Sequence, residues 1–321
     1  MLRRSLFAAP VVFGIAPARA QQWVPRQPIH IIVGFAPGGT ADISARVAAE
    51  AIQRRTGHTV VVDSKTGALG YIALKAVANA PPDGYTVGIG IMGSLAVGPV
   101  VPGTQIPLDL DKELVPVCNL VGVPMALIVR PNAPFQTVAE LVAYAKANPG
   151  KVSYGSTGNG STNQLGAELL AAEAGLKFLH VPYRGGAPAI ADVVSGQIDM
   201  FFANISEIVS QIKSGQVRAL ALASTRPTPM APDLPLFTKD IPALDISNWF
   251  GIMGPAGLPP EIRTGLARLF MEAVSDPVTK PVLDSRGLEA IPLDGPAFKA
   301  LIDKDRERWA RVVKAGNIRA E

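Results

Sequence analysis

The chain has 321 residues, of which 48% are hydrophobic and 17% charged, a balance that predicts a globular protein long enough for two domains. Its single cysteine, Cys118, excludes an internal disulfide and a cysteine-based metal site. The three histidines have no HExxH spacing and no cysteine nearby, so a zinc site is not expected.

A short segment at the start of the chain has the pattern of an export signal. Arg3 and Arg4 precede a mostly apolar stretch over 5–17, and Ala18-Arg19-Ala20 forms an A-x-A cleavage motif. The apolar stretch is too short to span a bilayer, so we expect the segment to be removed after Ala20. The paired arginines also loosely match a twin-arginine signal, so that route and the general secretory route both stay open.

The charge of the chain does not favour a nucleic-acid partner. Three of the 30 basic residues lie in the predicted signal, which leaves 27 against 26 acidic residues and a net charge of +1 for the mature chain. No basic stripe is interleaved with aromatic residues, so nucleic-acid binding is not expected. No later run of about eighteen apolar residues occurs, so no membrane-spanning helix is expected after the signal.

The mature chain begins with a predicted strand, a glycine-rich loop and a helix. The apolar run Ile29–Phe35 is typical of a strand buried on both faces of a parallel sheet. Ala36-Pro37-Gly38-Gly39 ends that strand, and Thr40 and Asp42 are residue types that cap a helix start. Apolar residues then recur at helical spacing until Gly57, which predicts the helix end. Such a loop directs main-chain N–H groups and the positive end of a helix toward a small anion.

Strands and helices continue to alternate, which predicts a parallel sheet covered by helices. The apolar passage 114–129 indicates one or two extended segments that could carry the chain into a second lobe. The last seventy residues are predicted to be mainly helical, with prolines near the helix starts. The remaining strands are predicted at 58–63, 85–92, 151–155, 178–182, 198–202, 217–222 and 249–254.

A second strand–loop–helix unit follows the plan of the first. After the strand at 151–155, the loop Ser156–Gly160 leads into a helix over 161–174, in which Ser161 and Gln164 form a capping box. If the two loops face each other across a cleft, their N–H groups and hydroxyls suit a carboxylate, which accepts several hydrogen bonds. The alternative interpretation is that both loops are ordinary turns of an α/β protein, with Ser161 and Asp42 acting as helix caps.

Motifs of the common enzyme classes are absent from the sequence. Gly88-x-Gly90-x-x-Gly93 matches the dinucleotide fingerprint by letters, but its first two glycines fall inside a predicted strand. Neither a Walker loop nor a Gly-x-Ser-x-Gly elbow occurs. Asp192 and Asp199 are not expected to form a catalytic pair, and Arg184 could face an anion or lie in a solvated loop. We therefore expect no catalytic residues, no metal site and no cofactor.

Five short motifs, taken together and in order, resemble the Bug family, the periplasmic substrate-binding receptors of tripartite tricarboxylate transporters. The resemblance covers nearly all of residues 22–321. The motifs are Phe-Ala-Pro-Gly-Gly-x-x-Asp-x-x-Ala-Arg at 35–46, Pro-Asp-Gly-Tyr-Thr at 82–86, Tyr-Gly-Ser-Thr-Gly-x-Gly-Ser at 154–161, Val-Pro-Tyr-Arg-Gly at 181–185 and Gly-Gln-Ile-Asp at 196–199.

The resemblance implies an α/β, two-lobed type II periplasmic binding-protein fold. Each lobe would be a mixed, mostly parallel sheet flanked by helices, with residues 21–123 and 250–321 in lobe 1 and residues 124–249 in lobe 2. The ligand would lie in the cleft between the lobes. The residues implied to line this cleft are Phe35, Ala36, Thr40, Asp42 and Ser94 on one wall and Ser156, Thr157, Gly158, Ser161, Thr162 and Asn204 on the other.

The resemblance also implies a periplasmic receptor that binds a small organic acid non-covalently and delivers it to membrane permease subunits of a tripartite transporter. We expect a monomer without cofactors. A secreted enzyme, or a binding protein that serves a sensor, is the alternative. Neither glycine loop contains lysine or arginine, so the acid is expected to be held by N–H groups, water and the hydroxyls of Thr157 and Ser161 rather than by one cationic side chain.

Two segments depart from the family pattern. Gly67-Ala68-Leu69-Gly70 stands where the family usually has Gly-Ala-Gly-Gly, and the Cβ of Leu69 restricts positive φ, so this loop is expected to sit differently. Leu234-Pro235-Leu236-Phe237 stands where the family usually has Val-Pro-Thr after the last strand of the second lobe. The contacts that the family makes near the hinge are therefore not carried over to this chain.

The predicted signal can be tested directly on exported protein. N-terminal sequencing should find Gln21 as the first residue, because Ala18-Arg19-Ala20 is the cleavage motif. A mature start far from Gln21, or a protein retained in the membrane, would contradict the prediction.

Overall fold

The computed structural model describes residues 23–315 and 318–320. The predicted signal, its cleavage site and the helix end predicted at Gly316 lie outside these described residues. The strands are β1 Ile29–Val33, β2 Val60–Ser64, β3 Thr86–Ile91, β4 Leu114–Val129, β5 Ser153–Ser156, β6 Leu179–Pro182, β7 Met200–Asn204, β8 Arg218–Ala223, β9 Ser247–Pro255 and β10 Glu289–Asp294. The helices are α1 Thr40–Thr56, α2 Tyr71–Ala78, α3 Leu110–Glu113, α4 Val138–Ala147, α5 Thr162–Ala174, α6 Gly186–Ser195, α7 Ile205–Lys213, α8 Pro260–Ser275, α9 Lys280–Ser285 and α10 Gly295–Ala315.

The strands form one ten-stranded mixed sheet in the order β2-β1-β3-β9-β4-β7-β5-β6, with β8 and β10 also paired to β4. Strands β1, β2 and β3 are mutually parallel at one end, and β5, β6 and β7 are mutually parallel at the other. We call the first group with its helices lobe 1 and the second group with its helices lobe 2. The predicted α/β, two-lobed fold is confirmed.

Strand β4 connects the lobes. Its first eleven residues, Leu114–Pro124, pair with β9, and its last five, Met125–Val129, pair with β7 and β8. Thirteen of its sixteen residues are buried, which agrees with the apolar run in the sequence. At about 3.3 Å per residue such a strand extends roughly 50 Å, long enough to run from one lobe into the other. The passage 114–129 is therefore one continuous strand, and β9 runs antiparallel beside it.

The two glycine-loop units form as the sequence predicts. Helix α1 follows Gly39 and ends at Gly57, which adopts a left-handed conformation with φ of 74°. Helix α5 begins after Ser161, whose side chain accepts a hydrogen bond from the main-chain N–H of Gln164. Because both loops follow parallel strands, they place the N-terminal ends of α1 and α5 at the boundary between the lobes.

The C-terminal part contains a strand that the sequence interpretation missed. Strand β10 pairs antiparallel with β4, and its register shifts between Ala290 and Leu293. Pro292 lies in this irregular region and cannot donate a ladder hydrogen bond. The proline and the short length obscured the strand, which is recognisable only from its long-range pairing with β4.

Candidate functional site

Each glycine loop lies against another segment of the opposite lobe. A Cβ added to Gly185, just before α6 in lobe 2, would lie 3.3 Å from the main-chain nitrogen of Ala36 in lobe 1. A Cβ on Gly160 would lie 2.5 Å from Oγ1 of Thr104. Both glycines also have positive φ, so side chains are disfavoured there for two reasons. The lobes therefore meet at positions where only glycine fits.

A cavity of about 470 Å³ lies between the two sets of loops. Its size lies within the usual range for pockets that bind small molecules. Among its lining residues in the described chain, Arg184 is the only one with a permanently charged side chain. The lining residues are Gly34, Phe35, Gly67, Ala68, Leu69, Gly70, Tyr71, Gly103, Thr104 and Gln105 from lobe 1, and Thr157, Gly158, Asn159, Tyr183 and Arg184 from lobe 2.

The loop at Leu69 forms one wall of this cavity in an unusual conformation. Ala68 and Leu69 have φ of 47° and 53°, the left-handed region that non-glycine residues seldom adopt. Leu69 thus adopts the positive φ that its Cβ disfavours, and its side chain is buried. On the opposite wall, a Cβ at Gly158 would lie 3.9 Å from the nitrogen of Leu69. Strained backbone of this kind is found at ligand sites, where surrounding contacts hold it in place.

A chain of buried hydrogen bonds links the two lobes. The hydroxyl of Thr162 donates to Oδ1 of Asn248 at 2.9 Å, and Nδ2 of Asn248 donates to Oδ1 of Asn204 at 3.0 Å. Nδ2 of Asn204 then donates to the hydroxyl of Thr40 at 3.0 Å. All four residues are buried. The structure thus brings together Thr40, Thr162 and Asn204, and it adds Asn248 of β9, which the sequence interpretation did not identify.

Glu207 of lobe 2 makes further hydrogen bonds to Thr40 of lobe 1. Its Oε1 accepts hydrogen bonds from the main-chain N–H and the hydroxyl of Thr40, both at 2.7 Å. The Glu207 side chain is partly exposed, but its carboxylate is enclosed by these donors and by the nearby amide of Asn204. Burial raises the pKa of Glu207 above its usual value, and the hydrogen bonds from Thr40 and Asn204 oppose that rise.

Two N–H groups of the first glycine loop also bond within the protein. The N–H of Gly38 donates to Oδ2 of Asp42 at 3.0 Å, and the N–H of Gly39 donates to the carbonyl of Ala36 at 3.3 Å. Asp42 also forms an ion pair with Arg46. Asp42 therefore stabilises its own loop, in agreement with the capping interpretation.

The hydroxyls of the second loop have protein partners too. Ser156 shares a 2.6 Å hydrogen bond with Nε2 of His180, and Thr157 donates to Oδ1 of Asn163 at 2.7 Å. Ser161 accepts from the N–H of Gln164, as a helix cap does. Thr157 and Gly158 line the cavity, whereas Ser156 and Ser161 do not. The hydrogen bonds of these two serines stabilise the loop instead.

Of the remaining residues implied by the resemblance, Phe35 and Ala36 lie at or next to the cavity, and Ser94 lies away from it. Phe35 lines the cavity, and Ala36 contacts the segment that carries Gly185. Ser94 lies deeper in lobe 1, where its hydroxyl donates to the carbonyl of Ile91 and its own carbonyl accepts from Tyr71. Ser94 thus holds Tyr71, which does reach the cavity.

Residues considered for other chemistries have structural partners. Asp192 accepts from the hydroxyl of Tyr183, and Asp199 pairs with Arg130. Within the part of the chain that the structure describes, no cluster of His, Cys, Asp and Glu could hold a metal ion. None of the helices in that part combines the length and apolar character needed to cross a membrane.

A second, larger cavity of about 620 Å³ lies where β4 and β9 meet α10 and the segment after β8. Charges of both signs line it, including Arg226, Arg308, Asp245 and Asp305. None of its lining residues comes from either glycine loop. The smaller cavity is therefore the candidate site, because the second glycine loop lines it together with Phe35, which directly precedes the first glycine loop.

Comparison with known protein families and sequences agrees with this architecture. The family model TctC, described as the tripartite tricarboxylate transporter family receptor, matches residues 44–318. Protein BugT of Bordetella pertussis is 32% identical over 304 residues, which are 94% of this chain and 93% of that protein. A protein encoded in the tcbD–tcbE intergenic region of Pseudomonas sp. strain P51 is 31% identical over 97% of this chain and 93% of its own length.

Solved structures show the same fold. The periplasmic binding protein BugD has a TM-score of 0.87 and 30% identity, covering 93% of this chain and 100% of that one. An R. palustris protein solved with adipate has a TM-score of 0.88 and 29% identity, covering 92% and 99%. MatC from Rhodopseudomonas palustris, solved with bound malate, has a TM-score of 0.84 and 25% identity, covering 90% and 100%.

The raised pKa of Glu207 predicts a pH-dependent contribution to stability. Glu207 has a usual pKa of about 4.5 in the unfolded chain and a higher pKa in the folded chain. At pH values between these two, Glu207 is protonated to a greater extent in the folded chain than in the unfolded chain. The free energy of unfolding of the wild type, relative to Glu207→Gln, should be greatest below pH 4.5 and fall as the pH rises through the folded pKa. Urea denaturation of both proteins between pH 4 and 8 measures this difference; a pH-independent difference contradicts it.

Proposed function

The chain belongs to the tripartite tricarboxylate transporter receptor family, and from this membership we propose that it captures a small organic carboxylate between its lobes and delivers it to membrane permease subunits. Family members and structural neighbours are periplasmic binding proteins, so the proposed place of action is the periplasm. The observation that carries the proposal is the cavity of about 470 Å³ to which both lobes contribute walls and in which Arg184 is the one permanent charge among the lining residues described.

The cavity suits one carboxylate better than a neutral or cationic group. The guanidinium of Arg184 is always charged and can donate two parallel hydrogen bonds to a carboxylate. The wall opposite Leu69 offers polar groups of the second glycine loop, among them Thr157. Apolar parts of a ligand would contact Phe35 and Leu69. This arrangement differs from the sequence expectation, because it adds a cationic side chain to the N–H groups, hydroxyls and water.

The lobes would move relative to each other on β4 and β9. We propose residues 21–123 and 250–321 as lobe 1 and residues 124–249 as lobe 2, with the boundaries near the point where β4 changes partners from β9 to β7 and β8. Hinge motion about a pair of crossing strands would open the cavity to admit the ligand and close it again.

Carboxylate binding can be tested with a thermal-shift screen, followed by calorimetry on the acids that stabilise the protein. An acid at 100 times its Kd should stabilise the fold by about 2.7 kcal/mol, and the matching carboxamide should bind much more weakly because its hydrogen bonds are not charge-assisted. Arg184→Gln should weaken acid binding about tenfold or more, since a charged hydrogen bond contributes roughly 1.5–3 kcal/mol. Arg311→Gln, on the exposed face of α10, is the matched control and should bind normally.

Two further outcomes decide against the receptor. If no organic acid raises the melting temperature, carboxylate capture is wrong. If a stabilising acid is consumed rather than recovered unchanged, the protein is a secreted enzyme. Equal affinity of the acid and its carboxamide would instead contradict the proposed role of Arg184.

Lobe closure can be measured with distance labels. Cysteines at exposed Lys65 in lobe 1 and exposed Lys177 in lobe 2 can carry the labels, since the native Cys118 is buried and its thiol pKa is raised by burial. The label distance should shorten when a binding acid is added. An unchanged distance for an acid shown to bind would contradict closure on binding.

A further inference from the structure

Glu207 places a carboxylate of the protein at an anion-binding position between the lobes. It lies in the first turn of α7 in lobe 2, and its Oε1 accepts the N–H of Thr40 at the start of α1 in lobe 1. The first N–H groups of a helix have no partner within the helix, and this end carries partial positive charge. Gly39, the residue before α1, has no side chain to cap them. Glu207 therefore takes the position of an incoming anion.

The surroundings of Glu207 are shaped to hold it there. The other carboxylate oxygen, Oε2, faces the first residue of α6, Gly186, where an added Cβ would lie only 2.2 Å away. The carboxylate thus lies near the N-terminal ends of α1, α6 and its own helix α7. Since Arg184 comes two residues before Gly186, Glu207 lies next to the segment that brings Arg184 into the cavity wall.

The hydroxyl of Thr40 uses its whole hydrogen-bonding capacity in this arrangement. A hydroxyl donates one hydrogen bond and accepts two. The proton of Thr40 goes to Oε1 of Glu207, and its oxygen accepts from Asn204 and lies 2.8 Å from the hydroxyl of Ser206, which then acts as donor. No capacity is left on this hydroxyl for a ligand.

We propose that Glu207 supplies from within the chain the carboxylate that the first glycine loop binds, and that the cleft consequently selects acids with one carboxylate over dicarboxylates. This inference rests on the proposed function of the cavity. The N–H groups of Gly38, Gly39 and Thr40 are already bonded to Asp42, Ala36 and Glu207, so a second ligand carboxylate would find them occupied. Arg184 then remains as the cationic partner for a single carboxylate.

The test compares acids of equal length that differ only in the second carboxylate. Calorimetry with hexanoate against adipate, and with butyrate against succinate, gives a selectivity ratio for each pair. The wild type should bind each monocarboxylate at least tenfold more tightly than its dicarboxylate. Glu207→Ser vacates the first loop and should reduce this ratio at least tenfold by improving dicarboxylate binding.

Two variants control the comparison. Glu207→Gln keeps an oxygen that can accept from Thr40, so it should retain most of the wild-type selectivity. Glu173→Ser removes an exposed carboxylate of α5 and should leave the ratio unchanged. If Glu207→Ser does not fold, the wild-type ratio alone still decides, because equal or tighter binding of the dicarboxylates by the wild type overturns the inference.

The outcomes separate this inference from the proposed function. Acids that bind with a ratio unaffected by Glu207→Ser overturn the role of Glu207 and leave carboxylate capture intact. Failure of every acid to bind overturns both. A wild-type preference for monocarboxylates that is lost in Glu207→Ser supports the inference.

Discussion

The contact between the two lobes depends on a buried row of hydrogen bonds from Thr162 through Asn248 and Asn204 to Thr40. Each buried polar group must be paired, because an unpaired one costs about 1–3 kcal/mol. Since the row begins in lobe 2, passes through β9 and ends in lobe 1, the pairing stabilises the arrangement of the lobes seen in this structure.

Features that depend on neighbouring residues were predictable from the sequence. The strand Ile29–Val33, the glycine loop after it and the helix end at Gly57 follow from a local apolar run, turn residues and a left-handed cap. Ser161 as a cap of α5 and the alternation of strands and helices are equally local. The fold class therefore followed from sequence patterns, and the family motifs added the two-lobed arrangement.

Features that depend on distant residues were not predictable in this way. Thr40 and Glu207 are 167 positions apart, and nothing near either residue indicates that they bond. Asn248 gave only a weak signal, because it follows the polar Ser247 and directly precedes the strand predicted at 249–254. Strand β10 is stabilised by pairing with β4, more than 160 positions earlier, and Pro292 masks it. Leu69 adopts a left-handed conformation that its residue type disfavours, so tertiary contacts decide the shape of that cavity wall.

A glycine loop that binds an anion through main-chain N–H groups does not distinguish the source of that anion. The N–H of Thr40 can bond to a carboxylate of a ligand or of the protein, because the recognised atoms are the same. A motif such as Phe-Ala-Pro-Gly-Gly therefore predicts that an anion is bound, and not which one. The identity of the occupant is set by a residue outside the motif, here Glu207 on the opposite lobe. If Glu207 excludes a second carboxylate as proposed, ligand selectivity in such a cleft changes through one side chain while both glycine loops and the fold stay the same.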